Sequence, residues 1–295
     1  MLTPIIILLL IAALCVAAFW HGIVMRRYTI ESDKIPAGQT IRAVLISDLH
    51  SYIYGENQSR IVHRIILANP DIILLAGDIA DDRTPILGTE LFLAGIQNIA
   101  PIFYVTGNHE YWTRDIAGIK QMFRDFGVTV LEDEYVEVEI NGTTLVIAGV
   151  CDPECSRMGN RGSRPIIQQA LYGFTSGTKD NDNLLIMQQA FGHLEADDGR
   201  FKILLSHRPE LIHQQRQFPF DLVVSGHSHG GQVRIPFLVN GLFAPNQGLF
   251  PPYAGGLYTH DNLTHIVSRG VTINHPRLPR IFNPPEIVVI DIVGE

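Results

Sequence analysis

Cysteine is scarce, with three in 295 residues, at positions 15, 151 and 155. That count excludes a secreted fold stapled by disulfides. Cys151 and Cys155 stand close together, but no second pair exists to complete a zinc site, so they read as small residues near a strand end. Long basic runs are also missing, and the net charge is -8. The chain is therefore no nucleic-acid binder held by phosphate contacts. Small phosphorylated substrates stay open, because bound metal ions can bring positive charge locally. No internal repeat or low-complexity stretch interrupts the chain. Beyond an apolar N-terminal run, roughly 270 residues remain, which suits one large α/β domain better than two small ones.

The most conspicuous absence is local. From Ile5 to Val24 there is no Asp, Glu, Lys or Arg. About twenty helical residues at ~1.5 Å each span about 30 Å, the depth of a bilayer core. His21 is the one ionisable side chain, near one end, and Trp20 beside it suits an aromatic belt. Nothing basic precedes the run, as a signal peptide would need. Arg26 and Arg27 follow it, so they are no twin-arginine export signal, and Leu14 before Cys15 is not the small residue of a lipoprotein site. A terminal segment with no polar face is also a poor core helix. The expectation is a transmembrane anchor over residues 1–27 and a catalytic domain over 28–295. Arg26, Arg27, Lys34 and Arg42 after the run place that domain in the cytoplasm by the positive-inside rule.

What is present is a succession of short apolar runs with polar ends. Ile41–Ile46 reads as a buried strand and stops at Ser47-Asp48-Leu49-His50. Ile61, Ile65 and Ala68 recur at helical spacing until Pro70. Ile72–Ala76 ends at Gly77-Asp78, and Ile102–Thr106 ends at Gly107-Asn108-His109-Glu110. Ile116, Ile119, Phe123 and Phe126 mark a second amphipathic helix, closed by Gly127. Tyr135–Ile140 and Thr144–Val150 flank Asn141-Gly142, a strong hairpin signal. Lys202–Leu205 ends at Ser206-His207, and Leu222–Val224 ends at Gly226-His227-Ser228-His229. Helices alternate with strands early and hairpins come later. That order predicts an α/β fold with a mixed sheet, built as two stacked sheets with helices outside.

Five polar clusters thus follow five predicted strands: Asp48/His50, Asp78, Asn108/His109, His207 and His227/His229. Ligands of open α/β sheets bind beyond the carboxyl ends of strands, so the clusters can converge on one rim. Each member is a metal-ligand type, and in Asp48-x-His50 and His227-x-His229 the side chains two apart share a face of extended chain. Any one cluster alone is an ordinary loop or cap. Together they are hard to explain structurally, because gathered carboxylates need a cation. His21, His63, His193, His213, His260, His265 and His275 have no partner at such spacing and read as surface or core residues. Glu110 reads as a capping or supporting residue rather than a ligand.

Taken in order, these residues resemble the signature of the calcineurin-like metallophosphoesterases: Asp-x-His, Gly-Asp, Gly-Asn-His-Glu, a lone His, then Gly-His-x-His. The resemblance runs from about Arg42 to the C-terminus. Ser206-His207-Arg208-Pro209, the run Gly226–Gln232, Ser268-Arg269-Gly270 and Asn283-Pro284-Pro285-Glu286 look most like bacterial membrane-associated phosphodiesterases of that family. Those include UDP-2,3-diacylglucosamine pyrophosphatases. The resemblance implies an α/β/β/α sandwich and two divalent metal ions. It implies Asp48, His50 and His229 on one ion, Asn108, His207 and His227 on the other, Asp78 bridging, and His109 free of metal to meet the phosphate or protonate the leaving oxygen. Two ions ~3.5–4 Å apart clamp a phosphoryl group and acidify water. The mixed nitrogen and oxygen set suits manganese, iron or zinc better than calcium.

The substrate side is less legible. Arg157, Arg161 and Arg164 lie among glycines between Pro153 and Arg200, where they read either as a cap gripping a second phosphate or as a solvated loop. Phe237–Tyr253 holds Leu238, Val239, Leu242, Phe243, Leu249 and Phe250 among Gly, Pro and Asn; it either packs on the sheet or dips into a membrane interface. The function expected is hydrolysis of a phosphodiester or pyrophosphate bond in a lipid- or nucleotide-linked substrate. A phosphomonoesterase of the envelope and a non-enzymatic membrane scaffold are the alternatives, the second unsupported by any lost motif residue.

Overall fold

A computed structural model describes residues 2–157, 179–273 and 279–295. In chain order its principal elements are helix α1 (Leu2–Ala18), strands β1 (Val24–Ser32) and β2 (Thr40–Ile46), α2 (Ser59–Ala68), β3 (Ile72–Ala76), α3 (Leu87–Ile96), β4 (Ile102–Val105), α4 (Asn108–Trp112) and α5 (Ile116–Asp125). There follow β5 (Thr129–Val130), β6 (Glu134–Ile140), β7 (Thr143–Gly149), α6 (Glu154–Arg157), α7 (Lys179–Phe191), β8 (Phe201–Leu205), α8 (Ile212–Gln215) and β9 (Leu222–Ser225). The chain closes with β10 (Phe243–Ala244), β11 (Gly248–Leu249), β12 (Gly256–His260), β13 (Leu263–Val267) and β14 (Glu286–Gly294).

Two six-stranded mixed sheets form, in the orders β1-β14-β2-β3-β4-β5 and β12-β13-β9-β8-β7-β6. In the first, β2, β3, β4 and β5 run parallel, while β14 is antiparallel to β2 and parallel to β1. In the second, β13, β9, β8 and β7 run parallel, with β12 and β6 antiparallel on the outside. Strand alternation divides the apolar residues between two faces. Ile41, Ala43, Leu45, Ile72, Leu74 and Phe103 of the first sheet meet Leu145, Ile147, Ile203, Leu205 and Val224 of the second, and this cluster is the seam between the sheets. Val44, Ile73, Leu75 and Tyr104 point the other way, onto Ile61, Ile65, Phe92 and Phe123 of the helices. Leu204 and Val223 pack beneath Met187, Phe191 and Ile212. Burial on both faces is what makes these parallel strands continuous apolar runs, and the layers are α/β/β/α.

The predicted strands recur within a residue or two, and the hairpin turn has Asn141 and Gly142 both at positive φ, 53° and 82°. The N-terminal run differs from expectation. Its helix stops at Ala18 after 17 residues, about 25 Å at ~1.5 Å per residue. Among the described residues no helix is long and apolar enough to cross a membrane. Residues Val24–Arg27, expected in the anchor, instead pair with Glu286–Val289 as the start of β1. Helix formation yields there because β1, as the edge strand, pairs nine residues in register with the open side of β14. The helix still exposes apolar side chains all round, from Ile5 to Val16. Arg161, Arg164 and His275 lie outside the described residues, as does the side chain of Arg157.

Candidate metal centre

Each expected cluster leaves the C-terminal end of a strand, and the parallel core strands deliver them to one rim. Asp48 and His50 follow β2, Asp78 follows β3, Asn108 and His109 open α4 after β4, His207 follows β8, and His227 and His229 follow β9. The backbone there is unusual. Asp48, His50, Asp78, His227 and His229 all have positive φ, between 47° and 67°. Non-glycine residues seldom hold that region, at a cost of order 1–3 kcal/mol each, so surrounding contacts must enforce it. Gly107 and Gly226 leave no room for a side chain: a Cβ at either would come within 2.2 Å and 2.6 Å of the Asp78 and Asp48 carboxylates.

Among the described residues three groups of ligand atoms result, one of them His50, Asp81 and His109, which shares His50 with the first of the two that the motif residues build. Those of Asp48, His50 and His229 lie within 4.8 Å of one another, as do those of Asp78, His207 and His227. They meet at Asp78, whose Oδ2 is 3.1 Å from His207 Nε2 and 3.9 Å from His50 Nε2. His229 Nε2 lies 3.6 Å from Asp48 Oδ1, and His50 stacks on His229 at 5.2 Å between ring centres. The second layer fixes orientation. His207 Nδ1 donates to Ala76 O at 2.8 Å, which turns Nε2 toward Asp78. The His227 amide donates to both Asp48 oxygens, and the His109 amide to Asp78 Oδ1 at 2.8 Å.

The electrostatics record crowded charge. Burial opposes a charged Asp78, yet the His207, His109 and His50 rings hold its carboxyl well below the usual range. Burial pushes Asp48 up. His207 resists burial because Asp78 is beside it, and the ring is raised to about 10. His227 is driven down by burial and by the neighbouring His207. Two buried carboxylates held among imidazoles thus lean on protons from their histidines, the role a divalent cation would take over. Among the described residues, Asn108 Oδ1 and His50 Nε2 are buried here with no hydrogen-bond partner. Both are ligand atoms, so the residues present fit a pair of metal ions.

Some supporting residues were not legible beforehand. His109 Nδ1 lies 2.8 Å from both Asp81 Oδ1 and Asp82 Oδ1, and Asp81 Oδ1 is also 3.1 Å from His50 Nδ1. The signal was Asp81 three residues beyond Asp78, ordinary for a loop until the fold places it. Burial opposes the charge on His109, but Asp78 and Asp81 raise it to about 9. Glu110 supports rather than ligates: it accepts the amides of Asp78, Ile79, Ala80 and Gly107. Arg208 forks onto buried Asp152 at 2.6 and 2.9 Å, which pins the loop beside His207. Of the remaining histidines, His265 is buried against Ser225, and His21 hydrogen-bonds the Arg280 carbonyl. From the segment Phe237–Tyr253, Asn246 reaches Glu210 at 2.9 Å and His227 Nε2 at 3.4 Å. The tip residues Phe237 and Leu238 do not pack on the sheet and are 107% and 82% exposed.

Residues 41–231 match the calcineurin-like phosphoesterase family. An uncharacterized metallophosphoesterase of Aquifex aeolicus is 30% identical over 279 residues, 92% of each chain. A transmembrane protein with metallophosphoesterase domain from Danio rerio is 27% identical over 224 residues, which are 72% of this chain and 46% of that protein. Among solved structures, a dimetal phosphatase from Danio rerio is similar at a TM-score of 0.49 and 13% identity, over 82% of this chain and 91% of that one.

Proposed function

The chain belongs to the calcineurin-like phosphoesterase family, whose members are metal-dependent phosphoester hydrolases, and within that class we propose that it cleaves a phosphodiester or pyrophosphate bond of a substrate met at a membrane surface. The observation that carries the reading is the meeting of two ligand groups at one carboxylate, Asp78, with the orphaned Asn108 Oδ1 in the same interior. Asp48, His50 and His229 would hold one cation. Asn108, His207 and His227 would hold the other, and Asp78 would face both. Manganese, iron and zinc suit this mixed donor set. Bound there, the cations would supply positive charge to a phosphoryl group and make water a better nucleophile.

The chain's own residues do the rest. Asp81 and Asp82 hold His109 Nδ1, so Nε2 is the atom left to meet a phosphate oxygen. Those two carboxylates favour the protonated ring, which can pass its proton to a leaving alkoxide or phosphate. Glu110, through four amides, keeps the loop of Asp78 in its strained form. Helix α1 supports the membrane part of the reading. It carries no charge and exposes apolar side chains on every side, which lipid solvates and water does not. The basic residues just after it favour a cytoplasmic placement of the domain. Turnover of a panel of phosphodiesters, phosphomonoesters and a UDP-sugar lipid, with manganese present, tests the assignment. Hydrolysis of monoesters alone would overturn it.

A further inference from the structure

The chain has a second cluster of charge, which the metal centre does not use. Arg26, Arg234 and Arg269 gather around one carboxylate, Glu286, itself fully buried. Arg269 Nε lies 3.2 Å from Glu286 Oε2 and Arg26 Nε lies 3.8 Å from it. Arg234 has no carboxylate within ion-pair distance among the described residues; it bonds the Gly230 carbonyl and Asn240. The cluster therefore carries an excess of positive charge in an acidic protein. Burial, and after it Arg269, push the Arg234 guanidinium down to about 10, as expected of a cation kept without a counter-ion. The walls are shaped for close approach. A Cβ at Gly255 would fall 2.8 Å from Arg269 Cγ and 3.4 Å from Arg234 Nη1, and one at Gly256 would fall 4.0 Å from the Tyr28 hydroxyl. The Tyr258 hydroxyl joins the same wall, bonded by Asn240 at 3.0 Å.

The place of this cluster is as telling as its charge. The short C-terminal segment 280–286 ties together everything around it. The Phe282 amide donates to Ala18 O at the end of α1, and Val24 N donates to Pro285 O. One residue earlier, Ile281 pairs with the base of the 233–239 hairpin, bonding Gln232 O and Arg234 N. Asn283 donates to the His229 and Gln232 carbonyls, beside the metal centre. The exit of α1, the hairpin with bare Phe237 and Leu238, the arginines and the His229 loop thus share one side of the molecule. Trp20, half exposed between α1 and β1, sits where aromatic side chains mark a membrane interface. A protein partner or a core would call for one apolar stripe on α1, whereas Ile5 to Leu10 are each about half to two-thirds exposed without interruption.

We propose that Arg26, Arg234 and Arg269 form a docking pocket for the phosphate of an anionic phospholipid, at the foot of a membrane-contacting rim made by α1 and the Phe237–Leu238 tip. The rim would present the metal centre to bilayer-borne substrates. The inference rests on the proposed membrane contact of α1 and is independent of turnover.

Flotation of the full chain with phosphatidylcholine vesicles, and with vesicles one-third phosphatidylglycerol, tests it. Two or three arginines near a surface should favour the anionic vesicles roughly thirty- to 150-fold. That preference should collapse between 0.1 and 0.5 M salt, as screening requires. Arg26→Gln with Arg234→Gln should abolish the preference and keep the basal binding to neutral vesicles; Arg26→Gln alone, on an exposed edge strand, should remove part of it if the double variant does not fold. Equal binding to both vesicles would overturn the pocket while leaving α1 as the anchor. No binding to either, with a stable dimer in solution, would assign the rim to a second copy and overturn both. Protection of the folded chain by millimolar inorganic phosphate without any vesicle preference would make the pocket's ligand soluble, and would overturn the lipid assignment.

Discussion

Glu110→Gln tests the support of the metal centre more sharply than removal of a ligand. The wild-type carboxylate is fully buried and accepts four amides: Asp78 N at 3.0 Å and Gly107 N at 2.8 Å on Oε2, Ile79 N at 2.7 Å and Ala80 N at 2.9 Å on Oε1. A glutamine keeps the shape but turns an NH2 toward one of these pairs, whichever way the amide is flipped. Two buried N–H groups then lose their acceptor, at about 1–3 kcal/mol each, so destabilisation of roughly 2–6 kcal/mol is expected. An opposing effect is built in. Glu110 and Asp78 repel, and burial with that repulsion pushes the Glu110 carboxyl up to about 7. Removing one negative charge relieves the metal-free protein but weakens the loaded one, so the loss should be greater with manganese than with chelator. Urea unfolding at pH 8, where the carboxylate is ionised, measures both, and elemental analysis gives metal per chain. An unchanged midpoint with wild-type metal content would refute the idea that Glu110 holds the Asp78 loop.

Asp78→Asn should lose both bound metal and turnover, since one carboxylate faces both ligand groups; two metals per chain with normal activity would remove it from the centre. His109→Ala should keep its metal and lose ~10²–10⁴-fold in rate, less for good leaving groups. Asp81 and Asp82 beside its ring favour the acid form, so the rate should fall as pH rises through the titration of that ring; a profile flat from pH 7 to 10 counts against proton donation. Arg208→Met strands the buried Asp152 and should cost about 3–5 kcal/mol in unfolding free energy, most of it recovered in the double variant with Asp152→Asn; an equal loss in the double variant would mean packing, not charge, dominates. A chain shortened to begin at Ile23 loses the Ala18 and His21 bonds to Phe282 and Arg280 and should melt slightly lower, whereas one beginning at Tyr28 should melt lower still, because it also lacks the pairs Val24↔Glu286 to Arg27↔Val289.

The candidate ligands were readable because their signals are local. A parallel strand buried on both faces must be apolar throughout, so its end is marked by the first polar residue, as at Asp48, Asp78 and His207. The hairpin at Asn141-Gly142 was readable for the same reason, since two positive φ angles select those residues. Pairing over long distances left no such mark. Strand β1 carries Arg26 and Arg27 side by side and alternates only over Tyr28–Glu31, and it exists because β14, some 260 residues later, offers it a backbone edge. Hydropathy therefore carried the apolar helix on to Val24, while the fold ended it at Ala18. Asp81 and Asp82 were likewise two loop acids until β3 and β4, lying side by side, brought them against His109. The pattern of residues determined which groups can bind metal and that they stand at strand ends. Only the tertiary structure decided that these ends converge, that Asp78 stands between the two groups, and that segment 280–286 sets three arginines beside them, because those arrangements depend on contacts between parts of the chain that do not know of each other in sequence.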